Sequence, residues 1–238
     1  LRPAADAKMR VGSYAGKGDN GAEFAAKLLR QFLKAPVKVD GAGFTLDQYV
    51  VFDEGDSYLE AAWQILDSAK WIMRIDGDGT VHIQEMNDSP IFSIDRGNAK
   101  VQPGFKYSKS LNDIPNRYFA IDDNGNSAEA VNDSPSSRTS VKSRGRYIDI
   151  IDTAPIFVDG ESIEQYVVRR LKEESSVYKF FNYTRPYHPD AWMFDLLRAN
   201  LPALSFTGDI RIMTQDLSFD QGIFVREKAG LEIKEYTG

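Results

Sequence analysis

The sequence predicts an α+β chain that is mainly antiparallel β, with a small α/β domain followed by a β-barrel-like domain. Three observations carry that expectation. Helical periodicity is clear in only three segments, each opened by its own capping residues. Most other apolar residues alternate in short runs separated by turn residues, as in an antiparallel barrel or sandwich. Two pairs of runs flank hairpin signals, Gly77-Asp78-Gly79 and Asn124-Gly125, where glycine supplies positive φ.

The first helix is read from the stripe Ala25, Leu28, Leu29, Phe32 and Leu33; Asn20 with Glu23 caps its start and Pro36 stops it. The second opens on Ser57-x-x-Glu60 and buries Leu59, Ala62, Trp63 and Leu66. The third opens on Ser162-x-x-Gln165 and buries Ile163, Tyr166, Val167 and Leu171, with Arg169, Arg170, Lys172, Glu173 and Glu174 mostly in water. Strands are expected at Trp71–Asp76, Thr80–Gln84, Ile114–Asp122, Ser127–Val131, Tyr147–Ile151, Val177–Thr184, Asp195–Asn200, Ile210–Asp216, Ile223–Glu227 and Leu231–Tyr236. The character of the chain changes near Asn87-Asp88-Ser89-Pro90. The expected organisation is therefore an N-terminal linker, or the end of an upstream barrel, over 1–20. A small α/β domain follows over 21–88, then a β-barrel-like domain over 89–238 with one helix near 162–175. The chain starts at Leu1 rather than Met, which suggests a part of something longer.

Composition narrows the chemistry. Among 238 residues, 42% are hydrophobic, enough for a real core. The absence of cysteine removes disulfides, thiolate metal sites and cysteine nucleophiles, and two histidines, His82 and His188, cannot make a three-histidine zinc site. A net charge of −6 argues against tight sequence-independent DNA binding, which needs clustered cations. No run approaches the roughly 18–20 apolar residues of a membrane helix, and no signal-peptide pattern opens the chain. Charge is sharply divided around Asn132–Ser137. Residues 122–133 hold Asp122, Asp123, Glu129 and Asp133 and no base; residues 138–146 hold Arg138, Lys142, Arg144 and Arg146 and no acid. Such a segment is either a solvated loop or a docking loop for an acidic neighbour.

Three motifs are weighed and set low. Gly16-Lys17-Gly18-Asp19-Asn20-Gly21 is a literal G-x-G-x-x-G before a helix, but the preceding run is poor for a buried strand and Asp19 would place a carboxylate in the phosphate cradle. A Gly-rich linker is the better reading. Asp76-Gly77-Asp78-Gly79-Thr80 lacks the glutamate that completes a calcium loop and reads as a hairpin turn. His188, Asp190 and Asp195 have metal-ligand chemistry, yet Pro186 and Pro189 equally suit a rigid corner. No catalytic residues, metal or cofactor are expected.

Several segments then carry a resemblance. They are Pro115-Asn116-Arg117-Tyr118-Phe119-Ala120-Ile121, the Asn132–Ser137 loop, Arg144-Gly145-Arg146 and the helix led by Glu164. Tyr183-Thr184-Arg185-Pro186-Tyr187-His188-Pro189-Asp190, Phe194-Asp195-Leu196-Leu197, Gly208-Asp209-Ile210-Arg211-Ile212 and Gln215-Asp216-Leu217 follow. Phe52-x-x-Gly55-x-Ser57 and Ile75 to Ile83 fit in front. In this order they resemble the baseplate hub proteins of phage tails, related to the base of type VI secretion spikes. The resemblance implies a virion tail component, assembled in the host cytoplasm as a homotrimer. Its partners would be the tail tube, the spike or tail-tip proteins and the tape measure protein, with DNA passing through without tight binding. It further implies two similar barrels per chain, giving a pseudo-sixfold ring; here one barrel-sized region is evident, after residue 90, and its partner is expected before residue 1. Assembly contacts are expected at Arg138, Lys142, Arg144, Arg146, Tyr187, His188 and Trp192. The competing readings are a tail-tip hydrolase, disfavoured by the lack of cysteine and of paired histidines, and a host-glycan-binding module using exposed aromatics such as Tyr187 and Trp192.

Overall fold

The computed structural model describes residues 7–101, 106–107, 110–219 and 222–237. The chain divides into two packed units: one holds residues up to Met86 with Ala120–Ser127 and Thr153–Tyr166, the other Asn87–Phe119, Ala128–Asp152 and the chain from Val167 on. One crossing thus falls beside the expected boundary at Asn87, and two later segments return to the first unit.

The first unit contains β1 (Ser13–Ala15), α1 (Gly21–Arg30), β2 (Val37–Asp40), β3 (Val50–Phe52), α2 (Tyr58–Ser68), β4 (Trp71–Ile75) and β5 (Val81–Glu85). Helix α1 starts where the Asn20 side chain accepts the Glu23 N–H at 3.1 Å, with Glu23 in its first turn and Lys27 and Arg30 in its last, signs that suit the helix dipole. Its buried face is Phe24, Ala25, Leu28 and Leu29, and each large side chain there contributes about 1.5–3 kcal/mol by leaving water. Arg30 closes the helix by donating to the Val37 carbonyl at 2.9 Å. Helix α2 is capped by Ser57 as expected and buries Ala61, Ala62, Ile65 and Leu66 in the same core. Strands β4 and β5 form the expected hairpin, and β2 adds to β5 in parallel; β1 pairs with β3. Residues 7–20, expected as a linker, belong to this core: Met9 is 2% and Ala15 0% exposed. Residues 1–6 lie outside the described residues.

From Asn87 onward come β6 (Ser93–Asp95), β7 (Lys100–Val101), β8 (Lys106–Tyr107), β9 (Arg117–Ile121), β10 (Ser127–Val131) and α3 (Val141–Arg144). They are followed by β11 (Asp149–Asp152), α4 (Ile163–Glu174), β12 (Val177–Pro186), β13 (Leu196–Leu201), β14 (Phe206–Ser218) and β15 (Phe224–Ile233). Strands β10, β9 and β11 make a three-stranded sheet. The larger sheet runs β6-β13-β14-β15-β12-β7, with β8 also on β12; among the described residues its strands pair antiparallel except β6 with β13. The connection between its outermost strands forces curvature. Asp95 and Lys100 are joined by chain that reaches roughly 17 Å at most, whereas six flat strands would set the outer pair about 24 Å apart. The sheet therefore curls, and its inner face gathers Phe181, Tyr183, Leu197, Ala199, Ile210, Ile212 and Ala229. The chain is α+β and mainly antiparallel, as expected.

Two local expectations are corrected, and one irregularity is new. The charged residues of α4 are not simply in water: Arg169, Arg170 and Glu173 are only 21%, 19% and 23% exposed and pair along the helix. The strands expected at Ile223–Glu227 and Leu231–Tyr236 are one continuous strand, β15. Gly230, which looks like a turn residue, sits inside it because a Cβ there would lie 3.0 Å from the rings of Phe180 and Tyr178, which cross over it in a stack. Finally, β14 carries a β-bulge: Ile212 faces Ala229 and Thr214 faces Lys228, leaving Met213 as an extra residue. Gly230→Val should cost about 1–3 kcal/mol by displacing both rings; a urea midpoint unchanged from wild type would show the close approach to be immaterial.

Candidate assembly interface and its polar network

The inner face of the curled sheet does not stay apolar to its end. Across three strands, Gln215 of β14 faces Glu227 of β15, which faces Tyr183 of β12. Two residues along β12, Arg185 points to the same face and grips both Glu227 carboxylate oxygens through one guanidinium edge, Nε at 2.9 Å and Nη2 at 2.6 Å. Both side chains are sealed, at 3% and 0% exposure. Gln215 donates one amide proton to Glu227 at 2.7 Å and the other to the Ala191 carbonyl at 3.0 Å, tying the loop after β12 onto the sheet. Arg185 also donates to the Pro186 carbonyl, and its guanidinium lies 4.9 Å from the centre of the Phe92 ring. Burial, and then the Glu227 charge, raises the Tyr183 phenol well above its ordinary value.

The same loop places Tyr187, His188 and Trp192. The Tyr187 N–H donates to the Ile223 carbonyl, His188 stacks on Phe92 with ring centres 5.0 Å apart, and the Trp192 N–H donates to the Asp195 carboxylate at 2.8 Å. Phe194 takes a left-handed φ of 75°, a strained state for a bulky residue, and is held by Arg211 and Ile212. Arg211 donates to the carbonyls of Phe194 and Asn87 and to the Asp88 carboxylate.

The basic segment is largely engaged within the chain. Arg138 meets Glu235 at 3.1 Å, and Lys142 meets Asp133 at 3.1 Å. Arg144 donates to the carbonyls of Ile114 and Leu111, and burial followed by the nearby Arg146 charge lowers its pKa. Arg146 is exposed, while its carbonyl accepts from the Asn116 side chain at 3.0 Å. Two buried asparagines, not singled out from sequence as site residues, organise this region. Asn116 donates to the Thr139 and Arg146 carbonyls and accepts from the Ile148 N–H; Asn132 donates to Ser137 and to the Glu235 carbonyl. Arg117 grips Asp149 at 2.8 and 2.7 Å, which lowers the Asp149 carboxyl. A signal for these was present in the alternation: Arg185 shares phase with Phe181 and Tyr183, and Glu227 with Val225 and Ala229.

The motifs set low from sequence have structural occupations. In the G-x-G-x-x-G loop the Asp19 carboxylate accepts the Gly16 N–H at 2.7 Å, Asn20 caps the helix, and a Cβ on Gly21 would fall 2.2 Å from the Phe44 ring. This is a hydrogen-bonded turn rather than a loose linker. In the β4–β5 turn, the Thr80 N–H donates to Asp76 and Asp78, and hydrogen bonding with Asp76 and then Thr80 holds the Asp78 carboxyl down to about 2. His82 lies between Asp40 and Asp76, at 2.6 and 2.9 Å. Among the described residues no group of three or more His, Asp or Glu is arranged to hold a metal.

Neither a family model nor a curated protein matches the chain. Solved structures do. The chain is similar to the tail protein from Neisseria meningitidis MC58, with a TM-score of 0.66 at 10% identity over 97% of this chain and 72% of that one. It is also similar to the 43 kDa tail protein of prophage MuSo2 from Shewanella oneidensis, with a TM-score of 0.56 at 13% identity over 93% of this chain and 65% of that one. The chain thus spans less than two thirds of the second protein's length. Its fold is the one found in these tail proteins, in agreement with the resemblance carried by the short motifs.

Breaking the buried pair should be costly from either side. Arg185→Met or Glu227→Leu is expected to lose about 3–5 kcal/mol, and the double variant Arg185→Met/Glu227→Leu clearly less than the sum. Urea denaturation of all three checks this; additive losses would mean the residues act separately. Because the Tyr183 phenol is raised in the folded state, its contribution is complete below the unfolded value of about pH 10 and is lost as pH rises above it. Tyr183→Phe should therefore flatten the fall in stability between about pH 9 and about pH 11, measured as urea midpoints across that range.

Proposed function

We propose that this chain is a structural hub of a phage tail, working at the baseplate or tail tip. Copies of it form a trimeric ring between the tail tube and the tip or spike, and DNA passes through that ring. The observation that carries this reading is the likeness to a tail protein over 97% of the chain. The site geometry supports it, because Arg185, Glu227, Gln215, Asn116, Asn132 and Arg117 all hold the fold's own strands and loops in place. They hold surfaces steady; contact, rather than bond-making, is the work assigned to the chain.

The partners on this reading are further copies of the chain, the tail tube, spike or tail-tip proteins, and the tape measure protein. Among the residues expected to make contacts, Arg146 and Tyr187 present exposed side chains, and His188 is held on Phe92. A net charge of −6 favours passage of DNA over retention, provided carboxylates face the lumen. Sedimentation equilibrium of the chain at micromolar to tens of micromolar concentration tests the reading. A trimer mass is expected, and a monomer at every concentration would overturn the self-assembling ring.

A further inference from the structure

The apolar inner face of the curled sheet runs on past its buried ion pair. By register Leu217 and Val225 share the face of Gln215 and Glu227, and Phe224 lies on the opposite face, across from Ser218; Phe219 and Ile223 flank the end of the ribbon. Val225 is buried, but Leu217, Phe219, Ile223 and Phe224 are 48%, 69%, 51% and 40% exposed. Tyr187, bonded through its N–H to Ile223, adds a ring that is 36% exposed. Side chains of this size leave on the order of 500 Å² of apolar surface at this end of the ribbon, counted over both its faces. That is at the upper end of what a monomer exposes, and such patches commonly mark contacts.

We propose that this end of the β14–β15 ribbon is an assembly contact whose occupant is a second copy of this chain. The size of the patch supports that choice. A stable interface takes about 800 Å² from each partner, and about 65% of it is apolar where identical chains meet; roughly 500 Å² of apolar surface fits that share. Apolar side chains on both faces of the ribbon call for insertion between elements of the neighbour rather than flat docking. Asp216 and Arg226, directly opposite one another, supply the polar rim such a contact carries. A ribbon of one copy set into a different surface of the next is a heterologous contact, and such contacts close into rings when the rotation allows. The inference therefore rests on the self-assembly reading above and names the surface that performs it.

The chain has no cysteine, so single-cysteine variants report cleanly on exposure. Ile223→Cys and, at an exposed apolar side chain elsewhere, Val11→Cys would be reacted with a maleimide in the assembled and the dilute state. Assembly should slow labelling of Ile223→Cys several-fold and leave Val11→Cys unchanged. Leu217→Asp/Phe219→Asp should weaken self-association at least about tenfold with the circular dichroism spectrum and urea midpoint unaltered. If wild type assembles but Ile223→Cys stays open, or Val11→Cys is the one protected, the proposed surface is wrong while the self-assembly reading stands. If wild type is monomeric throughout, that reading fails and takes the surface with it.

Discussion

Burying Arg185 and Glu227 takes two full charges out of water, a cost of several kcal/mol each that only close geometry and additional hydrogen bonds can offset. The second unit is arranged to provide both. Two parallel N–H···O bonds satisfy the charges, Gln215 takes up a remaining acceptor position, and the loop from Tyr187 to Asp195 lies over the sheet through the Ala191 carbonyl. Three strands and one loop thereby have a single mutually compatible position. The path of the loop into β13, including the strained Phe194, is set by Arg211 on the neighbouring strand. An apolar filling of the same volume would tolerate sliding of one strand past another; a paired charge does not.

The β9–β11 region applies the same logic with neutral groups. Asn116 satisfies three backbone groups from two separate segments, and Asn132 brings Ser137 and the C-terminal stretch at Glu235 together. These are the residues in the short motifs that resemble phage tail hubs. Their role explains how such a resemblance can be read without any catalytic set: specificity of the fold lies in a few inward-facing polar side chains, each placed where an apolar one would leave backbone groups unpaired.

What could be read in advance follows from how local each interaction is. The three long helices were legible because caps and stripes act within four residues, and Asn20, Ser57 and Ser162 cap as their spacing implies. The β4–β5 and β9–β10 turns were legible for the same reason. Strand order was not, since β12 bonds to β7 and β15, far from it in sequence, and alternation says which face a residue takes but never which neighbour it meets. The break expected between Glu227 and Leu231 is absent because the glycine in it, Gly230, serves a close approach to the rings of β12 rather than a turn, and only those rings decide which. The basic segment showed a charge imbalance, but Glu235, the partner of Arg138, comes from the far end of the chain.

The bulge at Met213 sets the phase of everything after it in β14. Without the bulge, a regular ladder continued from Ile212 and Ala229 would set Met213 opposite Lys228 and Thr214, not Gln215, opposite Glu227. Asp216 and Ser218 would then turn inward, and Leu217 outward. The information that seals the ion pair and shapes the end of the ribbon is thus held in a count rather than in a kind of side chain. Change along this strand is constrained asymmetrically: many substitutions at Met213 leave the phase alone, whereas drawing Met213 itself into the ladder would invert half a strand. A lineage of such proteins can drift far in identity while the offset between these two strands past Ile212 stays fixed.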